Sequence, residues 1–71
     1  MKFIKVGFAY INLDQVTGLY YRRNRDVDDE VVYDIMADNI KIDEEYSPLA
    51  ARKRLEEIVD QLNAEGNNHV H

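Results

Sequence analysis

The segment from Ser47 to Ala64, SPLAARKRLEEIVDQLNA, constrains the fold of this chain more than any other stretch. Its apolar residues recur at a spacing that draws one stripe along an α-helix. Ser47 is suited to cap the first turn, and Pro48 fits the first helical position because no backbone N–H is needed there. The stripe comprises Ala51, Leu55, Ile58, Val59 and Leu62. The sequence therefore predicts an amphipathic helix that ends before Gly66.

The stretches before this helix have the composition and alternation of β-strands. Residues 2–11 predict one strand with a core-facing side and an exposed side. The core-facing residues are Ile4, Val6, Phe8 and Tyr10. Gly7 inside this strand indicates a bulge or a close approach by another backbone segment. Residues 16–23 and 30–37 predict a hairpin with a charged loop, and residues 40–42 a short further strand.

These elements predict an α+β fold, with a small antiparallel sheet of three to four strands covered on one face by the C-terminal amphipathic helix. We expect residues 1–66 to form a single domain and residues 67–71 to form a short flexible tail. The helix should contribute Leu55, Ile58, Val59 and Leu62 to the core, and the sheet should contribute Ile4, Val6, Phe8, Val31, Tyr33 and Ile35.

The composition narrows the classes of function. A formal net charge of −5 argues against sequence-independent binding of nucleic acid, which requires many phosphate contacts. No apolar run reaches the roughly 18 residues of a membrane span, and the N-terminus lacks the features of a signal peptide. We therefore predict a cytoplasmic protein that does not enter a membrane.

Self-association is expected from the size of the chain and from its tyrosines. A domain of 71 residues has a core that rarely supplies more than about 3–5 kcal/mol, and no cysteine is present to form a disulfide. Large apolar groups occur on both sides of the second predicted strand, so we predict Leu19, Tyr20 and Tyr21 as a contact in a homo-oligomer. Tyrosines buried at the edge of the core are the alternative.

Basic residues suggest a second hypothesis, a surface that binds single-stranded nucleic acid beside the tyrosines. They are Arg22, Arg23 and Arg25 near the hairpin loop, and Arg52, Lys53 and Arg54 on the helix. The competing interpretation is that these cations form ion pairs with nearby acidic residues. Those residues are Asp26, Asp28, Asp29 and Glu30 in the loop, and Glu56 and Glu57 on the helix.

Little in the sequence indicates catalysis or metal binding. The histidines, His69 and His71, lie near the C-terminus, and the single serine is explained as a helix cap. Counting from Asp26 as the first ligand, the acidic loop lacks the glycine and glutamate that a calcium-binding EF-hand requires. Asp34 is interpreted as the solvent-facing residue of its strand. We predict a non-enzyme without a cofactor or a metal site.

Three stretches resemble short bacterial and phage proteins of unknown function. The residues are YINLDQV at 10–16, VVYDI at 31–35 and the helix opened by Ser47. The resemblance implies a small β-rich sheet with one helix and transfers no active site. Together these observations predict a non-catalytic protein-interaction module that self-associates, with an unknown protein as a possible further partner.

Overall fold

The computed structural model describes residues 3–67, with side chains up to residue 65. Its elements in chain order are β1 (Phe3–Val6), β2 (Ala9–Asn12), a 3-10 helix (Leu13–Gln15), β3 (Leu19–Arg25), β4 (Val31–Ala37), β5 (Ile40–Glu45) and α1 (Pro48–Asn67). Strands β1 and β2 form an antiparallel hairpin, and β3, β4 and β5 form an antiparallel sheet in that order. The helix packs against the strands, so the predicted α+β class is confirmed.

The N-terminal segment is a hairpin rather than the single strand predicted. Val6 pairs with Ala9, which leaves only Gly7 and Phe8 in the turn. Gly7 has a φ of +60°, as expected at the first position of a type II′ turn. A continuous strand would instead have kept Phe8 on the same side as Val6.

This turn changes which residues face the core. Ile4 and Ile11 are paired across the hairpin and are both buried. Phe8 and Tyr10, which were predicted to be core residues, are 60% and 70% exposed. The prediction for these two aromatic residues was wrong because the turn reverses the alternation after Gly7.

A β-bulge in β5 joins the hairpin to the sheet. Ile35 pairs with Asp43 and Met36 with Lys41, so Ile42 is an extra residue on its strand. The carbonyl oxygen of Ile42 accepts a hydrogen bond from the backbone N–H of Phe8 at 2.9 Å. A Cβ atom on residue 7 would overlap that carbonyl oxygen, so the close approach predicted at Gly7 is confirmed.

The core lies between the helix, the hairpin and one face of the sheet. Its buried members are Ile4, Val6, Ile11, Ile35, Ala37, Ile42, Ala51 and Ile58. Leu55 and Leu62 are partly buried against this cluster, as is Tyr33. Val59 was predicted to join the core but is 38% exposed, because it lines an open groove between the helix and the start of β3.

The helix begins as predicted and ends later. The N–H of Ala50 donates to the Oγ of Ser47 at 3.1 Å, which confirms the cap. The helix then continues through Gly66 to Asn67, since a glycine weakens a helix by only about 1 kcal/mol and does not by itself stop one. Residues 68–71, in the predicted tail, lie outside the described residues.

We expect Gly7→Ala to destabilise the protein by at least about 2 kcal/mol, because alanine combines a strained positive φ with the overlap at Ile42. Urea unfolding followed by circular dichroism measures this change. Gly18→Ala is the matched control, since its Cβ would lie 3.6 Å from the nearest atom, an Asp38 carboxylate oxygen. Equal losses in the two variants would contradict the proposed role of Gly7.

Candidate interaction surface

Strand β3 carries the predicted interface residues and forms one edge of the sheet. Leu19 and Tyr21 face the helix, where the ring of Tyr21 meets that of Tyr33 edge-on with centroids 6.1 Å apart. Tyr20 lies on the opposite face, and its hydroxyl donates to the carbonyl oxygen of Asp38 at 2.7 Å. The three side chains therefore do not lie on one face of the sheet. Their residues have in common that their backbone belongs to the edge strand.

The register of β3 shows which backbone groups point away from the sheet. Asp38 N–H donates to Gly18 carbonyl at 2.9 Å, and at the other end Asp26 N–H donates to Glu30 carbonyl at 3.0 Å. In an antiparallel ladder hydrogen-bonded pairs recur at every second residue, so even-numbered residues of β3 bond to β4. The N–H and C=O groups of odd-numbered residues therefore point outward.

Three of these outward residues make no backbone hydrogen bond within residues 3–67, namely Leu19, Tyr21 and Arg23. The fourth is different, because the N–H of Arg25 donates to the side-chain oxygen of Asn24 at 2.9 Å. Unpaired groups in a row along a strand form a template for pairing with another chain. The outward groups of these three residues define the free edge of β3.

Asp38 fixes the start of this edge. Its carboxylate accepts hydrogen bonds from the Thr17 hydroxyl at 2.9 Å and from the Gly18 N–H at 2.8 Å. The hydrogen bond from the Thr17 side chain lowers the pKa of Asp38, and the backbone N–H groups of Thr17 and Gly18 act in the same direction. Residues 16–18 are consequently a loop held against the β4–β5 turn, and not the beginning of a strand as predicted.

Half of the six predicted cations have carboxylate partners. Arg22 Nε lies 3.5 Å from Asp34, Arg25 Nη1 lies 3.6 Å from Asp29, and Arg54 Nε lies 2.6 Å from Asp43. Arg23, Arg52 and Lys53 form no ion pair with other described residues. Glu57 pairs with Arg54 at 3.5 Å and not with Lys53. The basic residues are thus divided between both faces of the sheet and the helix.

Asp34 was interpreted as solvent-facing, but its side chain is only 1% exposed. Strand β4 is central, so long side chains from both neighbouring strands cover this position. Asn24 Nδ2 donates to Asp34 Oδ2 at 2.9 Å, and Lys41 Nζ lies 3.1 Å from Oδ1. Burial alone would raise the pKa of Asp34, but Asn24, Lys41 and Arg22 together lower it below its ordinary value.

A second surface was not predicted from the sequence. Phe3 and Tyr10 lie on the outer face of the hairpin and Phe8 lies in its turn, and each is more than half exposed. These three exposed aromatic residues are called the aromatic patch. Gly7 within an alternating run was the available signal for the turn that creates it. The edge of β1 beside this patch is not free, because Gln61 Nε2 donates to the Lys5 carbonyl at 3.0 Å.

An open groove of about 250 Å³ with both polar and apolar lining adjoins the beginning of β3, between the 3-10 helix and the second half of α1. Its apolar lining consists of Leu13, Val16, Leu19, Val59 and Leu62.

The described residues contain no group of three or more side chains suited to hold a metal ion. His69 and His71 lie outside these residues. No helix within residues 3–67 has the length and apolar character needed to cross a membrane.

Comparisons with protein-family models, with curated proteins and with solved structures found no match. The resemblance to short bacterial and phage proteins therefore stays a prediction.

We expect Asp34→Asn to lower the free energy of unfolding by about 1–3 kcal/mol at neutral pH, because charge-assisted contacts with Lys41 and Arg22 are lost. The carboxylate has a lowered pKa in the folded chain, so its ionised form stabilises the fold at pH values above its ordinary pKa of 3.8. This contribution is lost as the pH falls through the lowered pKa.

The difference in free energy of unfolding between wild type and variant should therefore shrink as the pH falls from roughly 5 to roughly 2, the range in which carboxyl groups titrate. Urea unfolding at each pH measures this difference. Asp28→Asn is the control with the same change in charge, since the Asp28 side chain is exposed and forms no ion pair among the described residues. A pH-independent difference for Asp34→Asn would show that the ionised form is not what stabilises the fold.

Proposed function

We propose that this protein is a non-catalytic protein-interaction module that self-associates through the free edge of β3. The observation that carries the proposal is the row of outward backbone groups on Leu19, Tyr21 and Arg23. A seven-residue edge strand without proline or a bulge is long enough to pair with a second strand. Pairing would satisfy these groups with directional hydrogen bonds.

The distribution of charge supports this surface. Residues 1–25 contain five basic residues and one acidic residue, whereas residues 26–71 contain four basic and thirteen acidic residues. Two copies with a net charge of −5 repel each other overall. Each β3 brings three arginines to the contact, and Arg22 and Arg25 are paired with carboxylates of their own copy. Arg23 is the one cation of the strand without such a partner among the described residues, so the like-charge repulsion across the contact is limited.

The size of the chain gives self-association a physical benefit. A domain of 71 residues buries a smaller fraction of its surface than a larger one does. A second copy that binds only the folded form adds stability by mass action. The cytoplasmic location predicted from the sequence is part of this proposal.

The non-catalytic part of the proposal is supported by the engagement of the candidate reactive groups. Ser47 Oγ accepts the capping hydrogen bond from Ala50. Asp34 is held as an anion by its three partners and has a lowered pKa, which is unfavourable for a general acid at neutral pH.

Binding of single-stranded nucleic acid has less support than self-association. It would need a continuous basic surface beside free tyrosine rings. Arg22 and Arg54 are paired with carboxylates, and Tyr21 packs against Tyr33. We therefore do not extend the proposal to this class of partner.

Sedimentation across a concentration series tests the proposal. Wild-type protein should show a mass that rises with concentration towards that of a dimer. Arg23→Pro should weaken association by roughly tenfold or more, because proline removes an outward N–H from each copy. The β3–β4 ladder does not use this N–H, so the variant should remain folded.

Two comparisons make the result specific. Arg23→Ala keeps the N–H and should associate more strongly than Arg23→Pro. Tyr10→Ser removes part of the aromatic patch and should leave the association unchanged, as should Tyr46→Ser, whose native side chain has a similar exposure of 71%. Loss of association in Tyr10→Ser alone would place the contact on the hairpin. A wild-type protein that stays monomeric at every concentration would refute the proposed function.

A further inference from the structure

Resting on the proposed function, we infer the register of the contact: β3 pairs antiparallel with β3 of a second copy, with the two Tyr21 residues opposite each other. This arrangement has two-fold symmetry and joins two three-stranded sheets into one sheet of six strands. The inference follows from the direction of the backbone groups and from the order of side chains along β3.

The backbone restricts the register first. Only residues whose N–H and C=O groups point outward can form hydrogen-bonded pairs across the contact, and these are Leu19, Tyr21 and Arg23. Centring on Tyr21 pairs Leu19 with Arg23 of the second copy and Tyr21 with its own equivalent. All three residues of both copies are then satisfied.

Side chains select the same register. Directly opposed residues of an antiparallel pair lie on one face, so Tyr20 meets Arg22 of the second copy on the face away from the helix. Tyr20 is 41% exposed and the Arg22 side chain is 56% exposed although its Nε lies 3.5 Å from Asp34, so the exposed part of the guanidinium can form a cation–π contact with the ring. Two such contacts occur in a symmetric dimer.

Neighbouring registers are less favourable. Centring on Arg22 or on Arg23 places two guanidinium groups directly opposite each other, which is destabilising. Centring on Tyr20 places Arg23 opposite Thr17, which lies in the loop before β3. That register leaves the outward groups of Arg23 without a strand residue as partner.

On the helix side the inferred register also places a side chain of the second copy at the groove beside β3. Arg23 of the second copy lies opposite Leu19, which lines the groove together with Val59 and Leu62. The Arg23 side chain forms no ion pair among the described residues, so its aliphatic part is available to cover the mouth of the groove. The guanidinium group remains in solvent at the rim.

Disulfide cross-linking tests the register directly, because the chain contains no native cysteine. Tyr20→Cys and Arg22→Cys proteins are prepared separately and oxidised alone or as an equimolar mixture. Opposed residues of a non-hydrogen-bonded pair have Cα atoms about 4.5 Å apart, within disulfide range. The mixture should give a covalent dimer at least about tenfold more abundant than either variant alone, since equivalent residues are offset and lie near or beyond about 7 Å.

Lys53→Cys mixed with Tyr20→Cys measures cross-linking by random collision, since Lys53 lies on the helix. Efficient cross-linking of Tyr20→Cys alone, or of Arg22→Cys alone, would overturn the inferred register in favour of one centred on that residue. A concentration-dependent dimer in wild type that gives no cross-link in the mixture would also overturn it, while leaving self-association intact. A wild-type protein that is monomeric throughout would overturn both proposals.

Hydrogen exchange on the wild-type protein gives a measurement that does not depend on the variants folding. Amides of Leu19, Tyr21 and Arg23 should become at least about tenfold better protected as the protein is concentrated, because they gain partners only in the dimer. The amide of Tyr20 already bonds to β4 and serves as the internal reference. Unchanged exchange at Tyr21 in a sample shown to be dimeric would refute the inferred register.

Discussion

The hydrogen bond between Phe8 and the bulged residue Ile42 is the interaction on which the rest of the architecture depends. A two-stranded hairpin is at best marginally stable in water, so β1 and β2 need a surface to pack on. The bulge frees the Ile42 carbonyl from the β4–β5 ladder and directs it to the N–H of Phe8. Only glycine at position 7 permits this approach. Both the hairpin and the sheet can then bury their apolar sides under one helix.

Most of the fold could be predicted because local patterns and tertiary packing agree. The helix has a cap, a stripe and a suitable start, and Ala51 and Ile58 are fully buried. The hairpin was missed for a physical reason, since apolar residues occupy both sides of the run after Gly7. The sequence fits one strand with Phe8 and Tyr10 inward as well as a hairpin with Ala9 and Ile11 inward. The sequence indicated a bulge or a close backbone approach at Gly7, but it did not show that the chain reverses direction there.

The strand that carries the candidate site could be recognised from the sequence, whereas the arrangement of its side chains and backbone groups could not. Tyrosines on both sides of β3 indicated a strand with two covered faces, and the structure shows Tyr21 against the core and Tyr20 bonded to Asp38. The free edge itself depends on strand order, which no local pattern encodes. The burial of Asp34 is also a tertiary effect, because it requires Lys41 and Arg22 from the two neighbouring strands.

Strand β1 of the hairpin and strand β3 of the sheet differ in how their edges are protected. On β1 the Lys5 carbonyl bonds to Gln61 of the helix, so the fold itself occupies part of this edge. On β3 the outward groups of Leu19, Tyr21 and Arg23 carry no such partner among the described residues, and the charged side chains beside them are arginines. Charge protects an edge only against registers that bring like charges together. A pairing that sets each Arg22 against a tyrosine would bring no like charges together, so the arginines of β3 are compatible with the proposed dimer.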